Sequence, residues 1–152
     1  MAYVPTFKNI LCPVDFSDSS RHALTVATEL ARSSNAALTL AHIWQPPLPL
    51  YVTPAGTPDA AMSGELIQAM VDAAERSLAD WAATARAAGV ASLQSKMLSG
   101  VPWDEIVKLA LQSHADLVVM GTHGRTGLTH ALIGSVAEKV VRHAPCAVLV
   151  VR

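Results

Sequence analysis

The chain predicts an α/β protein: one domain spanning residues 1–152, an open, five-stranded parallel sheet with helices on both faces. Three observations predict it. Short apolar runs alternate with amphipathic stretches of helical period from end to end, with no internal repeat and no second block of different composition. Strands and helices of these lengths in strict alternation imply right-handed crossovers and a sheet covered on both sides. Finally, 152 residues that are 51% apolar suit a single buried core and argue against disorder.

Phe7 to Val14 reads as the first strand, and Asp18 is expected to cap a helix whose inner face carries Ala23, Ala27, Leu30 and Ala31. Ala36 to Ile43 reads as the second strand. Leu66 to Ala88 predicts the longest helix, with Ile67, Met70, Val71, Ala74, Leu78, Trp81, Ala82 and Ala85 on one stripe and Gly89 as its C-terminal cap. A more polar third strand, Ser92 to Leu98, follows. Pro102 opens a helix bearing Trp103, Ile106, Val107, Ala110 and Leu111. Asp116 to Gly121 makes the fourth strand, apolar enough to be buried on both faces. A last helix from Val136 to His143, begun by Ser135 with Glu138 as a capping box and stopped by Pro145, leads to the fifth strand, Ala147 to Val151.

Charge narrows the function classes. A net charge of −1 and a pI near 6.6, with scattered lysines and arginines, leave no electrostatic footprint for DNA or RNA. No apolar run reaches the roughly 18 residues of a membrane span, and MAYVPTFKN lacks the basic and apolar parts of a secretory signal, so a soluble, cytoplasmic protein is expected. Two cysteines, Cys12 and Cys146, are expected as buried thiols packing as small hydrophobes.

The stretch richest in chemistry is DLVVMGTHGRTGLTHALIGS, Asp116 to Ser135, in which a buried strand ends in a glycine-rich loop that leads into a helix. Loop amides and helix-start amides can then converge on one anion. The loop is not a Walker loop, because Leu128 and Thr129 follow Gly127 where Lys and Ser/Thr are needed. G-x-G-x-x-G is absent too. What remains is Gly121-x-x-Gly124, nine residues, then Gly134-Ser135. With Pro13-Val14-Asp15 after the first strand and the closing CAVLVVR, this spacing resembles the ATP-binding branch of the universal stress protein family over nearly the whole chain.

That resemblance implies a Rossmann-like sheet of the adenine nucleotide alpha hydrolase type, in strand order 3-2-1-4-5. Asp15 and the glycine loop would then share one crevice at the C-terminal ends of strands one and four. The same order puts AVLVV at a sheet edge, where so apolar a strand invites pairing with a second copy, so a homodimer through Ala147 to Val151 is expected. A receiver domain or a flavodoxin-like site loses on position, since their carboxylate cluster or phosphate loop would follow strand one.

By the resemblance, Asp15 matches a nucleoside contact, Pro13, Ile43 and Met120 match the walls around the base, and Gly121, Gly124, Gly134 and Ser135 match phosphate and ribose contacts. Val136 supplies a backbone amide at the helix start and would contribute through that alone. Plain alternatives stand beside each. Asp15 could cap the turn into the first helix, the three wall residues could be ordinary core or turn residues, and the glycines could serve turns alone. Arg125, the only cation between Gly121 and Gly134, is either a terminal-phosphate contact or a solvated surface group. His123 and His130 read as loop residues, His42 as a hydrogen-bonded core or rim histidine, and Ser17, Ser19 and Ser20 as helix-start residues.

The five-proline connection Gln45 to Ser63 reads as a lid, a partner-docking loop or a stiff crossover. The resemblance implies a homodimeric stress-response module that binds ATP (or AMP or ADP) with Mg²⁺. Hydrolysis should be slow at most, since the loop offers mainly backbone donors and no positioned base. The alternatives are a nucleotide-free dimerisation or partner-binding module and an adenylating or ATP-pyrophosphatase-type enzyme.

Overall fold

In the computed structural model, residues 6–46, 64–123 and 133–152 are described. Strands β1 (Asn9–Pro13), β2 (Ala37–Trp44), β3 (Leu93–Ser99), β4 (Leu117–Gly121) and β5 (Ala147–Val151) alternate with helices α1 (Asp18–Ser34), α2 (Gly64–Ala87), α3 (Pro102–Gln112) and α4 (Ser135–His143). The strands form one parallel sheet in the order β3-β2-β1-β4-β5, as the family likeness implies.

Alternation along the central strands divides the core in two. Ile10, Cys12, Leu38, Leu40, Leu117 and Val119 pack with Ala23, Ala27 and Ala31 of α1 and Leu78, Trp81 and Ala82 of α2. Leu11, Ala41, Val118 and Met120 point the other way, onto Ile106, Leu109 and Ala110 of α3 and Ala137 and Val140 of α4. Strands buried on both faces must be apolar throughout, which is why β1 and β4 read as continuous runs. β3 lies at an edge and is half-exposed, which accounts for its polar residues. At the N-terminal end of β1 the Asp116 carboxylate accepts from the Lys8 amide at 2.7 Å and the Asn9 amide at 3.2 Å, tying β1 to the segment that enters β4.

Three helices end in the same way. Asn35, Gly89 and His114 all have positive φ (52°, 101° and 50°). The next amide in each case reaches back five residues, Ala36 to Ala31 O, Val90 to Ala85 O and Ala115 to Ala110 O. These are Schellman ends, each with a buried apolar residue after the left-handed one. Gly89 was legible as a cap. Asn35 and His114 were not, because neither is glycine. A bulky side chain at φ 50° carries a backbone cost that glycine avoids. His114→Gly is therefore expected to raise stability by about 0.5–1 kcal/mol, visible as a melting-temperature gain of roughly 1–4 °C.

Two expected caps are corrected. Ser17, not Asp18, caps α1, its side chain accepting from the Ser20 amide at 3.2 Å, while Asp18 lies in the first turn. For α4 the N-cap is Gly134 and Ser135 is already helical, so no capping box forms. Glu138 pairs instead with Arg142 at 2.8 Å. The α2 stripe is also shorter than expected. Burial begins at Leu78, and Met70 is 38% exposed, because a 24-residue helix outruns the strands it covers.

The two thiols differ. Cys12 is fully buried, and burial pushes its pKa up to about 12. Cys146, expected to be buried, is only partly so; burial and the nearby Asp116 charge raise its pKa as well. For Cys12 the folded pKa lies above the unfolded one, so its contribution is complete below about pH 8.5 and is lost as pH rises toward 12. Wild type should lose about 1.4 kcal/mol more per pH unit above pH 9 than Cys12→Ala does, measured by urea denaturation across that range.

Candidate functional site

The chain runs outward through β1, β2 and β3, then returns to β4 and β5 on the other side of β1. The winding therefore reverses between β1 and β4, and a crevice at the C-terminal ends of these strands is where open α/β sheets take ligands. Pro13 ends β1 opposite Ala41, and Met120 and Gly121 end β4 opposite Val150 and Val151. Ile43 lies near the end of β2, half-buried. Gly134, Ser135 and Val136 open α4, tied to the β4 end by the Gly134 amide, which donates to the Thr122 carbonyl at 2.6 Å. Pro13, Asp15, Met120, Gly121, Gly134, Ser135 and Val136 thus gather around one switch point. Gly124, Arg125, Gly127 and His130, like most of the Gln45 to Ser63 connection, lie outside the described residues.

Asp15 is half-buried in the turn from β1 to α1. Its Oδ1 accepts from the Ser17 amide at 3.0 Å and also from the Ser17 hydroxyl. The Ser20 hydroxyl donates to the Ser17 carbonyl at 3.0 Å and accepts from the Asp15 amide at 3.4 Å. Asp15 therefore does shape the entry to α1, in an Asx turn that also fixes the direction of its carboxylate. A carboxylate so held can still receive a hydrogen bond from a ligand N–H or O–H.

The two described motif glycines are required by the protein's own packing. A Cβ on Gly121 would lie 2.2 Å from Ser19 Oγ and 2.8 Å from the Ser19 carbonyl carbon. A Cβ on Gly134, whose φ of −70° any residue tolerates, would lie 2.7 Å from the Thr122 carbonyl oxygen. Both let backbone segments close on one another at the crevice floor. Gly134→Ala should accordingly cost about 1–3 kcal/mol in a denaturant titration, less if the Thr122 carbonyl can yield.

Three residues that frame the crevice were not singled out from the sequence as parts of it. Ser19 receives the His123 amide at 3.4 Å and faces Gly121. Thr122, buried directly after the last strand residue, has Oγ1 2.8 Å from His123 Nδ1, and its carbonyl holds Gly134. Its polarity at the end of an apolar run was the available signal. Phe16, with φ 65°, is the third. Gly134, as the N-cap of α4, offers no side chain to the first amides of the helix. A helix start carries partial positive charge and N–H groups without intrahelical partners, and this one stands where the switch point would place an anion.

A doubly wound parallel sheet with closely packed glycines and a glycine-capped helix start at its switch point defines a small α/β protein of the Rossmann-like class. Within that class the chain belongs to the universal stress protein family, whose model matches residues 6–152. It is similar to a universal stress protein of Methanocaldococcus jannaschii, 37% identical over 147 residues that cover 96% of this chain and 82% of that protein. Among solved structures it resembles the universal stress protein UspA from Lactobacillus plantarum, with a TM-score of 0.83 and 31% identity over 98% of this chain and all of that one. A universal stress protein crystallised in complex with cAMP is 28% identical, with a TM-score of 0.68 over 97% of this chain and 98% of its own. Among the described residues no helix is long and apolar enough to cross a membrane.

Proposed function

We propose that the crevice between β1 and β4 binds an adenine nucleotide, ATP by the glycine spacing, and that the protein acts as a homodimeric stress-response module whose partner surface changes with nucleotide occupancy. One observation carries the reading. The glycine-capped start of α4 is tied to the end of β4, whose other side lies against Ser19 just beyond the Asp15 turn, so amides able to receive an anion and a fixed carboxylate acceptor share the switch point. The cAMP complex of a relative supports a nucleotide in general. Ser135 and Val136 would offer amides to phosphate and Asp15 an acceptor to the nucleoside. Mg²⁺ would arrive with the phosphates, since it is held mainly by them and its waters. Hydrolysis would be slow, because a site of backbone donors stabilises bound phosphate without activating water.

A second reading, a nucleotide-free dimerisation module, is favoured by the structural duties of Asp15, Gly121 and Gly134. The deciding experiment is to purify the protein without added nucleotide, denature it, and identify any released small molecule by mass spectrometry. Bound ATP supports the first reading, while an empty protein that also fails to bind added ATP supports the second. The dimer is tested separately. Among the described residues β5 pairs only with β4, and Leu149 on it is 39% exposed. Leu149→Lys should shift the mass found by light scattering from dimer to monomer, since a charge on an edge strand opposes edge pairing.

A further inference from the structure

We propose that His42 is a positioning residue for the nucleoside end of the crevice, holding the turn that carries Asp15 through the Val14 carbonyl and the face of Phe16; this rests on the nucleotide reading given above. Asp15 stands between Val14 and Phe16, so the direction of its carboxylate depends on how those two neighbours are held. Phe16 is in the left-handed region at φ 65°, where a bulky side chain does not settle unaided. Its ring lies against His42, centroids 4.5 Å apart, and meets the edge of Trp81 at 5.4 Å. The Arg21 guanidinium covers Trp81 at 4.5 Å. Sheet, α1 and α2 thus converge on one turn.

His42 is only 6% exposed, and its Nδ1 lies 2.8 Å from the Val14 carbonyl oxygen. A carbonyl only accepts, so Nδ1 carries the proton and donates. The Val14 amide already donates to Ala41 O at 2.8 Å. Both backbone polar groups of the residue before Asp15 are therefore tied to β2, one through the backbone and the other through a side chain. Beyond that point β1 leaves the sheet. A histidine acting by packing alone would do its work through volume; here the donor atom fixes the carbonyl next to the ligand-facing carboxylate, and the ring braces the strained residue on the other side.

The test compares ATP binding by calorimetry for wild type, His42→Phe and His42→Asn, at a temperature where circular dichroism shows each protein folded. Phenylalanine keeps a ring against Phe16 and removes the donor; asparagine removes the ring and keeps an N–H close to the position of Nδ1. The expected result is a loss of about 10-fold or more in ATP affinity for His42→Phe, with recovery to within about 3-fold of wild type in His42→Asn. Should His42→Phe not fold, Phe16→Asn serves, because asparagine tolerates the left-handed region while the brace is lost; a loss of several-fold is expected. Wild-type affinity in the folded variants, with only their melting temperatures lowered, would overturn the positioning role and leave the nucleotide reading intact. A wild-type protein that binds no ATP would overturn both.

Discussion

Gly121→Ala is expected to lower the folding stability by about 3 kcal/mol or more, the largest effect of any single methyl group considered for this chain. An added Cβ would stand 2.2 Å from Ser19 Oγ and 2.8 Å from the Ser19 carbonyl carbon. The hydroxyl can rotate away, but the backbone of Ser19 cannot, since it belongs to the first turn of α1, anchored by Ser17 and Ser20 and backed by the buried Ala23 and Leu24. β4 is equally fixed, paired with β1 on one side and β5 on the other. Overpacking between two immobile backbones ends in displacement of the helix rather than of a side chain. Combining Gly121→Ala with Ser19→Ala should therefore recover only the part of the loss due to the hydroxyl. Urea denaturation of the four proteins in this cycle measures both quantities, and a Gly121→Ala protein within 0.5 kcal/mol of wild type would refute the close approach.

The same contact shows what the sequence could and could not convey. The strands, their apolar character and the reversal at β1 and β4 were legible, because burial on both faces imposes apolar runs and the spacing of the glycines marks the family. Gly121 and Gly134 were legible as sites of close approach, but not what approaches. The nearest atoms belong to Ser19, 102 residues before Gly121, and to Thr122, 12 residues before Gly134, and tertiary proximity of this kind leaves no local periodic signal. The capping box at Ser135 failed for a related reason. The Gly134 amide is drawn to the Thr122 carbonyl, and this places Gly134 at the N-cap and Ser135 inside the helix. Likewise the choice between Asp15 as a turn former and Asp15 as a ligand group was a false one in physical terms, since the bonds from Ser17 fall on one oxygen of a carboxylate that has about four lone-pair sites.

Separating those two duties gives the second large effect. Asp15→Ala removes the acceptor for the Ser17 amide and hydroxyl, and it should cost about 1 kcal/mol of stability as a lost helix-entry contact. It should also weaken ATP binding about 10- to 100-fold, the range expected when a charged hydrogen-bond partner of a ligand is deleted. Asp15→Asn divides the roles: its amide oxygen can still accept from the Ser17 amide, so stability should stay near wild type, while loss of the charge should still reduce affinity. By the family resemblance Gly124 is a phosphate contact, and Gly124→Val, which adds a branched Cβ, should then reduce ATP affinity at least about 10-fold. If the two sites grip opposite ends of one nucleotide, the free-energy losses of Asp15→Asn and Gly124→Val should be nearly additive in the double variant. Calorimetric titration with ATP checks this. Affinity unchanged in both single variants would remove the crevice from consideration, and the duties of Asp15 would then end with the turn it builds.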